Sequence, residues 1–478
     1  MQAQKLSGLE PKAFMAYFEK ICSIPHGSGN TKQISDYLVS FAKEQNLRYY
    51  QDEWNNVVIY VDATCGYEDH EPVILQGHLD MVCQKDDDCT IDMQTQGVDI
   101  THNGSYIYAK GTTLGADDGM AIAYGMALAS DKTIAHPPLE ILCTADEETT
   151  MVGATNLDSR CIKGRRLINL DCGSEGSITI SCVGGATADA KLPIVRKRIN
   201  AEAVNLIVDG LQGGHAGGSI DKRRANAHKV MGEFLSRVQA AFPICIADFN
   251  GGNMTNAITR SCQVKVTAPC MDIEKLNDIA GALLVELQTQ FDEPYAVVRA
   301  EHAERVCGDV LDEESTKNAI SFLTKIPYGV LTRDENAEPK TMMNIGFINL
   351  DEDFHVKLSA RSSSNCEKDE LMEQMRNLVL QHNGSFHQYW QSAAWEPKKD
   401  SALLNTLIRV YEDMYGKTPQ IRTTRGMLEC GILCAKLPGV DCVAIGANMF
   451  DVHTSRERLD IASVKRTWDY LLEVLKVL

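Results

Sequence analysis

PVILQGHLDMV, residues 72–82, is the stretch from which the fold of this chain is read. Pro72, Val73, Ile74 and Leu75 run into Gln76-Gly77 and then release His78 and Asp80. This reads as the carboxyl end of a buried strand, where open α/β sheets bind their ligands. A histidine and an acid two residues apart share one face. A neutral imidazole ligates metal, and a neighbouring carboxylate fixes its tautomer and raises its basicity. Alone, His-x-Asp is more often an ordinary strand end, so the reading turns on what other strand ends deliver.

Downstream, GTTLGADDGMAIAYGMALAS (111–130) predicts a tight loop and then, from Ala116, a helix of small apolar residues packed closely on a sheet. Asp117 and Asp118 fall at that helix's N-terminus, where simple capping is one reading and a functional acid pair the other. LEILCTAD (139–146) is a further buried strand delivering Glu147 and Glu148, which repel each other unless solvated or separated by a cation or proton. RRLINLD (165–171) brings Asp171 to its end, and GSITISCVGG (176–185) reads as one more strand. Upstream, helical patterns run through Phe14, Phe18 and Ile21 and through Ile34, Leu38 and Phe41. LRYYQ and WNNVVIYV form a hairpin turning at Asn55-Asn56.

From about Ala188 the texture changes. VNLIVDG, a helix over 224–242, ICIADF, QVKVTA, a helix over 273–291 and YAVVRAE give the order β-α-β-β-α-β of a ferredoxin-like sandwich. A second, partial copy follows: helix STKNAISFLTKI, strands NIGFINL and FHVKLSARS, helix DELMEQMRNLVLQH and strand SFHQYW. The α/β texture then returns with helix DSALLNTLIRVYEDMYG, strand PQIRTT, helix MLECGILCAKLPG, strand VDCVAIG, a loop holding His453 and a final helix. The expected organisation is thus a first catalytic segment over 1–187, an inserted domain over 188–392 and a second catalytic segment over 393–478.

The 478 residues, 44% hydrophobic, suffice for well-buried cores in two to four domains, and a net charge of −18 argues against a nucleic-acid backbone or an anionic membrane as partner. The N-terminal stretch, residues 1–20, is amphipathic and charged, and no later run reaches spanning length, so a cytoplasmic protein is expected. Sixteen cysteines scattered through apolar segments, among them Cys143, Cys182, Cys262 and Cys442, read as reduced thiols rather than a disulfide framework.

His78, Asp117, Glu148, Asp171 and His453 each follow a predicted strand or lie in a loop of the same α/β domain. Five nitrogen and oxygen ligands, one carboxylate being shared, are enough for two borderline cations such as zinc. Glu147 is left over beside a ligand, which is where the general base of a metal-activated water belongs.

GHLDMV, GTTLGADDG, ADEE, NLD and VH, in this order and spacing, resemble the co-catalytic zinc exopeptidases related to aminoacylase and carboxypeptidase G. ICSIPH, KGTTLGADDG, GLQGGHAGG, DFNGGNMTNAITR and LECG extend that resemblance over nearly the whole chain, to the aminoacyl-histidine dipeptidases. It implies an α/β fold: a mixed-sheet zinc-exopeptidase catalytic domain with an inserted, duplicated ferredoxin-like α+β lid domain. It also implies two Zn2+ ions, with Co2+ or Mn2+ as substitutes, on His78, Asp117, Glu148, Asp171 and His453. Asp117 is then the bridge, Asp80 orients His78, and Glu147 moves the proton of the bridging water to the leaving amine. The Asp117-Asp118 peptide bond is expected to be cis. His215 matches a histidine that steadies the oxyanion, from its own or a partner's site, and Asn256 and Arg361 match residues holding the substrate's carboxylate or backbone.

Two departures bear on substrate preference. Thr150 and Val152 replace a glycine and an aspartate after the base, and Met427 stands where relatives have a glycine lining the substrate site. The implied activity is hydrolysis of Xaa-His and other unblocked dipeptides by a cytoplasmic homodimer paired through the inserted domain. N-acyl amino acid deacylation on the same scaffold and a silent metal or peptide sensor are the alternatives.

Overall fold

The computed structural model describes residues 5–335 and 337–478, so the first four residues of the amphipathic N-terminal stretch lie outside it. The chain divides into two compact units, one of Met1–Cys182, Trp395–Thr424 and Leu428–Leu478, the other of Val183–Ala394 and Arg425–Met427.

The first unit is built on an eight-stranded mixed sheet. Its order is Arg48–Gln51, Val57–Val61, Leu139–Thr144, Val73–His78, Arg166–Asn169, Asp441–Ala444, Ser177–Cys182 and Gln420–Thr424. Val73–His78 lies inside it and runs parallel to both neighbours, with His78 opposite Thr144 and Gln76 opposite Asn169. Why this strand opens on consecutive apolar residues, Val73, Ile74 and Leu75, is visible in the packing. Val73, Leu75, Ile141 and Ile168 point into one core with Phe14, Tyr124, Leu407 and Leu471, whereas Ile74, Leu142 and Leu167 point into another with Leu433. Helices cover both faces, so alternate side chains are all buried.

Helix Ala116–Ser130 packs closely on this strand. A Cβ added at Gly77 would lie 2.3 Å from the Ala121 Cβ and 2.4 Å from Asp118 Oδ2, so only glycine lets helix and strand approach here. A small second sheet joins Ile100–His102, Tyr106–Ala109, Arg458–Asp460 and Met449–Phe450. The expected hairpin is present, Arg48–Gln51 against Val57–Val61, with Asn55 at φ +68° in the turn.

The second unit holds a long sheet whose strands pair antiparallel, with helices Ala227–Ala241, Ile273–Gln290, Glu313–Lys325 and Asn365–Gln381 packed on one core. Val297–Leu311, Arg196–Asp209, Cys262–Thr267 and Cys245–Gly251 are neighbours in that order, the 4-1-3-2 arrangement of a ferredoxin-like module. The second copy is complete rather than partial. Its first strand is Gly184–Pro193, which lies between Asp353–Ser362 and Ser385–Ser392. GSITISCVGG is therefore not one strand but the whole of Ser177–Cys182 in the first unit and the start of Gly184–Pro193 in the second. The two copies meet where Asn250 and Gly251 pair with Asn349 and Ile348. At the boundary Cys182 and Trp395, both in the first unit, exchange two backbone hydrogen bonds of 3.2 Å.

The cysteines are free thiols, Cys143, Cys182, Cys262 and Cys442 being buried. Among the described residues no helix is long and apolar enough to cross a membrane. In the second unit His228 is fully buried, its Nδ1 3.3 Å from the Ile345 carbonyl, and burial lowers its pKa to about 4 from the ordinary 6.5. The unfolded chain therefore binds the extra proton first. The neutral ring's contribution is fully present above pH 6.5 and declines by on the order of 3 kcal/mol as the pH falls towards 4. Thermal unfolding followed from pH 7 to pH 4.5 is expected to show a smaller loss of Tm in His228→Gln than in the native chain.

Candidate metal centre

Three adjacent parallel strands end at one rim. Val73–His78 delivers His78, Leu139–Thr144 leads to Glu147 and Glu148, and Arg166–Asn169 leads to Asp171. Beneath them the strands carry polar side chains that satisfy one another. Asn169 Nδ2 donates to Gln76 Oε1 (2.7 Å), Gln76 Nε2 to Glu429 Oε2 (2.7 Å), and the Thr144 hydroxyl to the same Glu429 oxygen. The Asp171 N–H donates to Asn169 Oδ1 at 3.2 Å. Burial pushes the Glu429 carboxyl up to about 7 despite the Thr144 hydrogen bond.

Asp117 stands between the two imidazoles. His78 Nε2 lies 3.1 Å from its Oδ1 and His453 Nε2 lies 3.2 Å from its Oδ2, while His453 Nε2 is also 2.7 Å from Glu148 Oε1. The other nitrogen of His78, Nδ1, faces Asp80, 3.0 Å from its carbonyl and 3.6 Å from its carboxylate. Asp80 is fully buried, and its carboxylate accepts the N–H groups of Glu147 (2.9 Å) and Glu148 (3.2 Å) and the Ser28 hydroxyl (2.8 Å). The loop bearing the two glutamates is thus hung from the acid beside His78. The Asp117-Asp118 peptide bond is cis, as the resemblance implied. Asp118, the second acid of the pair expected at the helix N-terminus, accepts the His78 N–H at 3.2 Å from a fully buried position.

Ligand-capable atoms lie within 4.8 Å of one another in three overlapping groups: His78 with Asp118 and Asp171, His78 with Glu147 and Glu148, and Asp117 with Glu148 and His453. Asp171 thus gathers with His78 rather than with His453. Two ligands at about 2.1 Å from a tetrahedral ion sit about 3.4 Å apart, close to the 3.1 and 3.2 Å spans across Asp117. The electrostatics are those of a negative cluster short of positive charge. Burial, then repulsion from Asp117 and Asp118, pushes Asp171 well above the usual carboxylate range. Burial also raises Glu147, with Glu429 and Glu148 adding to it against the pull of His78. Burial works to raise Asp117 too, but the hydrogen bonds to His453 and His78 outweigh it and hold it low. Hydrogen bonds to Asp117 and Glu148 push His453 up to about 10. Donor types, spacing and charge all fit divalent cations.

The substrate-binding candidates His215, Asn256, Arg361 and Met427 lie in the second unit. Gly214–His215 pairs with Ala257–Ile258, and the Ala216 N–H donates to the Asn256 carbonyl at 2.8 Å. His215 Nδ1 accepts the N–H groups of Gly217 (3.2 Å) and Gly218 (3.3 Å), so the neutral ring carries its proton on Nε2. Burial and the Arg361 charge lower its pKa, favouring that neutral form. Arg361 and His215 flank Gly217, where an added Cβ would lie 2.7 Å from Arg361 Nη1 and 3.2 Å from His215 Cε1. Arg361 is paired in the sheet with Gly185, and the Met427 sulfur covers Gly185, 3.3 Å from where a Cβ would stand. Met427 packs with Val183, Ile220, Ile258 and Met342. Thr150 is exposed and Val152 opens the short helix Val152–Asn156, both in the turn after Glu148.

The profile of the family described as Peptidase family M20/M25/M40 matches residues 74–477. Over 479 residues the chain is 32% identical to the cytosol non-specific dipeptidase of Escherichia coli (strain K12), covering 99% of each. The crystal structure of an aminoacylhistidine dipeptidase from Vibrio alginolyticus matches with a TM-score of 0.91 at 30% identity, over 99% of this chain and 98% of that one. An aminopeptidase PepT from Bacillus cereus matches with a TM-score of 0.56 at 14% identity, over 98% of each chain, a likeness of fold alone.

Proposed function

This chain belongs to peptidase family M20/M25/M40 and is a hydrolase of peptide bonds with dipeptidase relatives; from that premise we propose a cytoplasmic two-metal dipeptidase that cleaves Xaa-His and other unblocked dipeptides. The observation that carries it is the gathering of His78, Asp117, Glu148, Asp171 and His453 around shared centres, with Glu147 beside them. Asp117 would be shared by the two ions, one of which His78 and Asp171 would also hold and the other Glu148 and His453. Zinc suits this mixed imidazole and carboxylate set, and Co2+ and Mn2+ share its preferences. When bound, the ions supply Lewis-acid polarisation of the scissile carbonyl and acidify the attacking water.

The chain's own residues do the rest. Asp80 holds the His78 ring in the tautomer that leaves Nε2 free to ligate. Glu147 takes the proton of the attacking water and hands it to the leaving amine, and its burial makes it a stronger base than a solvated glutamate. His215 offers its Nε2–H to the oxyanion that develops on the carbonyl. Arg361 and Asn256 hold the substrate's terminal carboxylate, which limits the length of peptide admitted. Met427, packed over Gly185 beside Arg361, tunes the preferred side chain.

Assay of the zinc-, manganese- and cobalt-loaded protein on Ala-His, carnosine, Gly-Gly, a tripeptide and N-acetyl amino acids tests the reading. Dipeptides, with Xaa-His among them, are expected to be favoured; preference for the acetylated set identifies a deacylase instead, and no turnover of either set a sensor. Light scattering is expected to give a homodimer paired through the inserted unit. Gly217→Ala pushes the Arg361 guanidinium aside. A charge-assisted hydrogen bond is worth about 1.5–3 kcal/mol, so KM is expected to rise about 10–100-fold with metal content unchanged.

A further inference from the structure

The turn that carries His453 is tied to the loop that carries Asp117 by a carboxylate with no part in the proposed chemistry. Glu457 is 2% exposed. Its Oε2 accepts the backbone N–H groups of Leu114 (2.8 Å) and Gly115 (3.1 Å), and its Oε1 those of Ala116 (2.8 Å) and Asp117 (3.3 Å). Four successive N–H groups on one side chain exceed a helix cap, whose side chain satisfies one or two.

The placement of Glu457 explains what the clamp holds. Residues 451–457 join Met449–Phe450 to Arg458–Asp460, an antiparallel pair, and the N–H groups of Thr454 and Glu457 close the turn on the carbonyls of Asp451 and Thr454. Arg458–Asp460 also pairs with Tyr106–Ala109, the strand that leads through 110–115 to Ala116. The two loops are therefore joined twice, by a β-ladder at the base and by Glu457 close to the point where His453 Nε2 and Asp117 Oδ2 stand 3.2 Å apart.

We infer that Glu457 is a positioning residue of the metal centre, setting the separation of Asp117 and His453 and through it the grip on the ions. The inference rests on the metal reading of the site above. In Glu457→Gln one acceptor oxygen becomes an NH2 group that faces two N–H donors. Two of the four groups lose their partner, and the Asp117 loop must shift.

Competition for Zn2+ against a chromogenic chelator, with thermal unfolding of the metal-free proteins alongside, tests this on the full chain. Outer partners of metal ligands typically account for 10–100-fold in affinity, so Glu457→Gln is expected to bind Zn2+ about 10–100-fold more weakly. Glu457→Asp, which keeps both oxygens on a shorter stem, is expected to recover part of that loss. A folded Glu457→Gln that binds Zn2+ as tightly as the native chain, or that loses only metal-free Tm, overturns the inference and leaves a helix cap. If the Gln variant fails to fold, the Asp variant decides: native Zn2+ affinity overturns the inference, and weakened affinity in a folded protein supports it. Failure of the native chain to take up Zn2+, Co2+ or Mn2+ overturns the metal reading itself.

Discussion

Glutamine in place of Glu147 is expected to lower kcat on Ala-His by about 10²–10⁴-fold, the usual worth of a positioned general base, while two equivalents of metal remain bound. The amide keeps the shape and the N–H that Glu147 gives to Asp80, so the glutamate loop stays hung where it is. What it loses is the ability to accept a proton. Burial and repulsion from Glu429 and Glu148 raise the proton affinity of Glu147, and that raised basicity is what the substitution removes. Steady-state kinetics paired with metal analysis by mass spectrometry separate the two roles open to a carboxylate that shares a group with His78 and Glu148. Turnover within tenfold of native shows that the base is elsewhere; loss of metal shows that Glu147 is a ligand.

Removing Asp117, the proposed bridge, is expected to have the second large effect. Asp117 presents one oxygen to each imidazole, so Asp117→Ala withdraws a donor from both halves of the site at once. Lewis-acid stabilisation contributes several kcal/mol to hydrolysis, and activity is expected to fall by about 10³-fold or more. The native protein stripped with a chelator should reach the same residual rate, and added zinc should restore only the native protein. Recovery of Asp117→Ala on zinc addition, or retention of both ions by it, rules out the bridge.

Much of the first unit was legible because its signal is local. A buried parallel strand flanked by two cores reads as a continuous apolar run, and each such run ends where its polarity changes, at His78, Glu147 and Asp171. The structure gathers those strand ends on one rim. Other features were carried by contacts between distant residues, which leave no period in the chain. Glu457 sits in TSRERL, an unremarkable charged turn, and meets its four N–H partners some 340 positions away. Gln76, Thr144 and Asn169 did leave a trace, each a polar residue inside an apolar strand, and that oddity points to the network with Glu429. Gly184–Pro193 was missed for another reason. It abuts Ser177–Cys182 with a single residue between them, so two strands of different sheets read as one in the sequence, which leaves the second ferredoxin-like copy without its opening strand.

The pair of backbone hydrogen bonds between Cys182 and Trp395 has a bearing on ancestry. The main host segments on either side of the excursion are neighbours, held by a single antiparallel bridge, and the excursion begins and finishes on adjacent strands, Gly184–Pro193 and Ser385–Ser392. A gene splice at those positions has almost no gap to span. Two hundred residues can enter or leave such a joint at nearly no entropic penalty for loop closure, since the ends were in register beforehand.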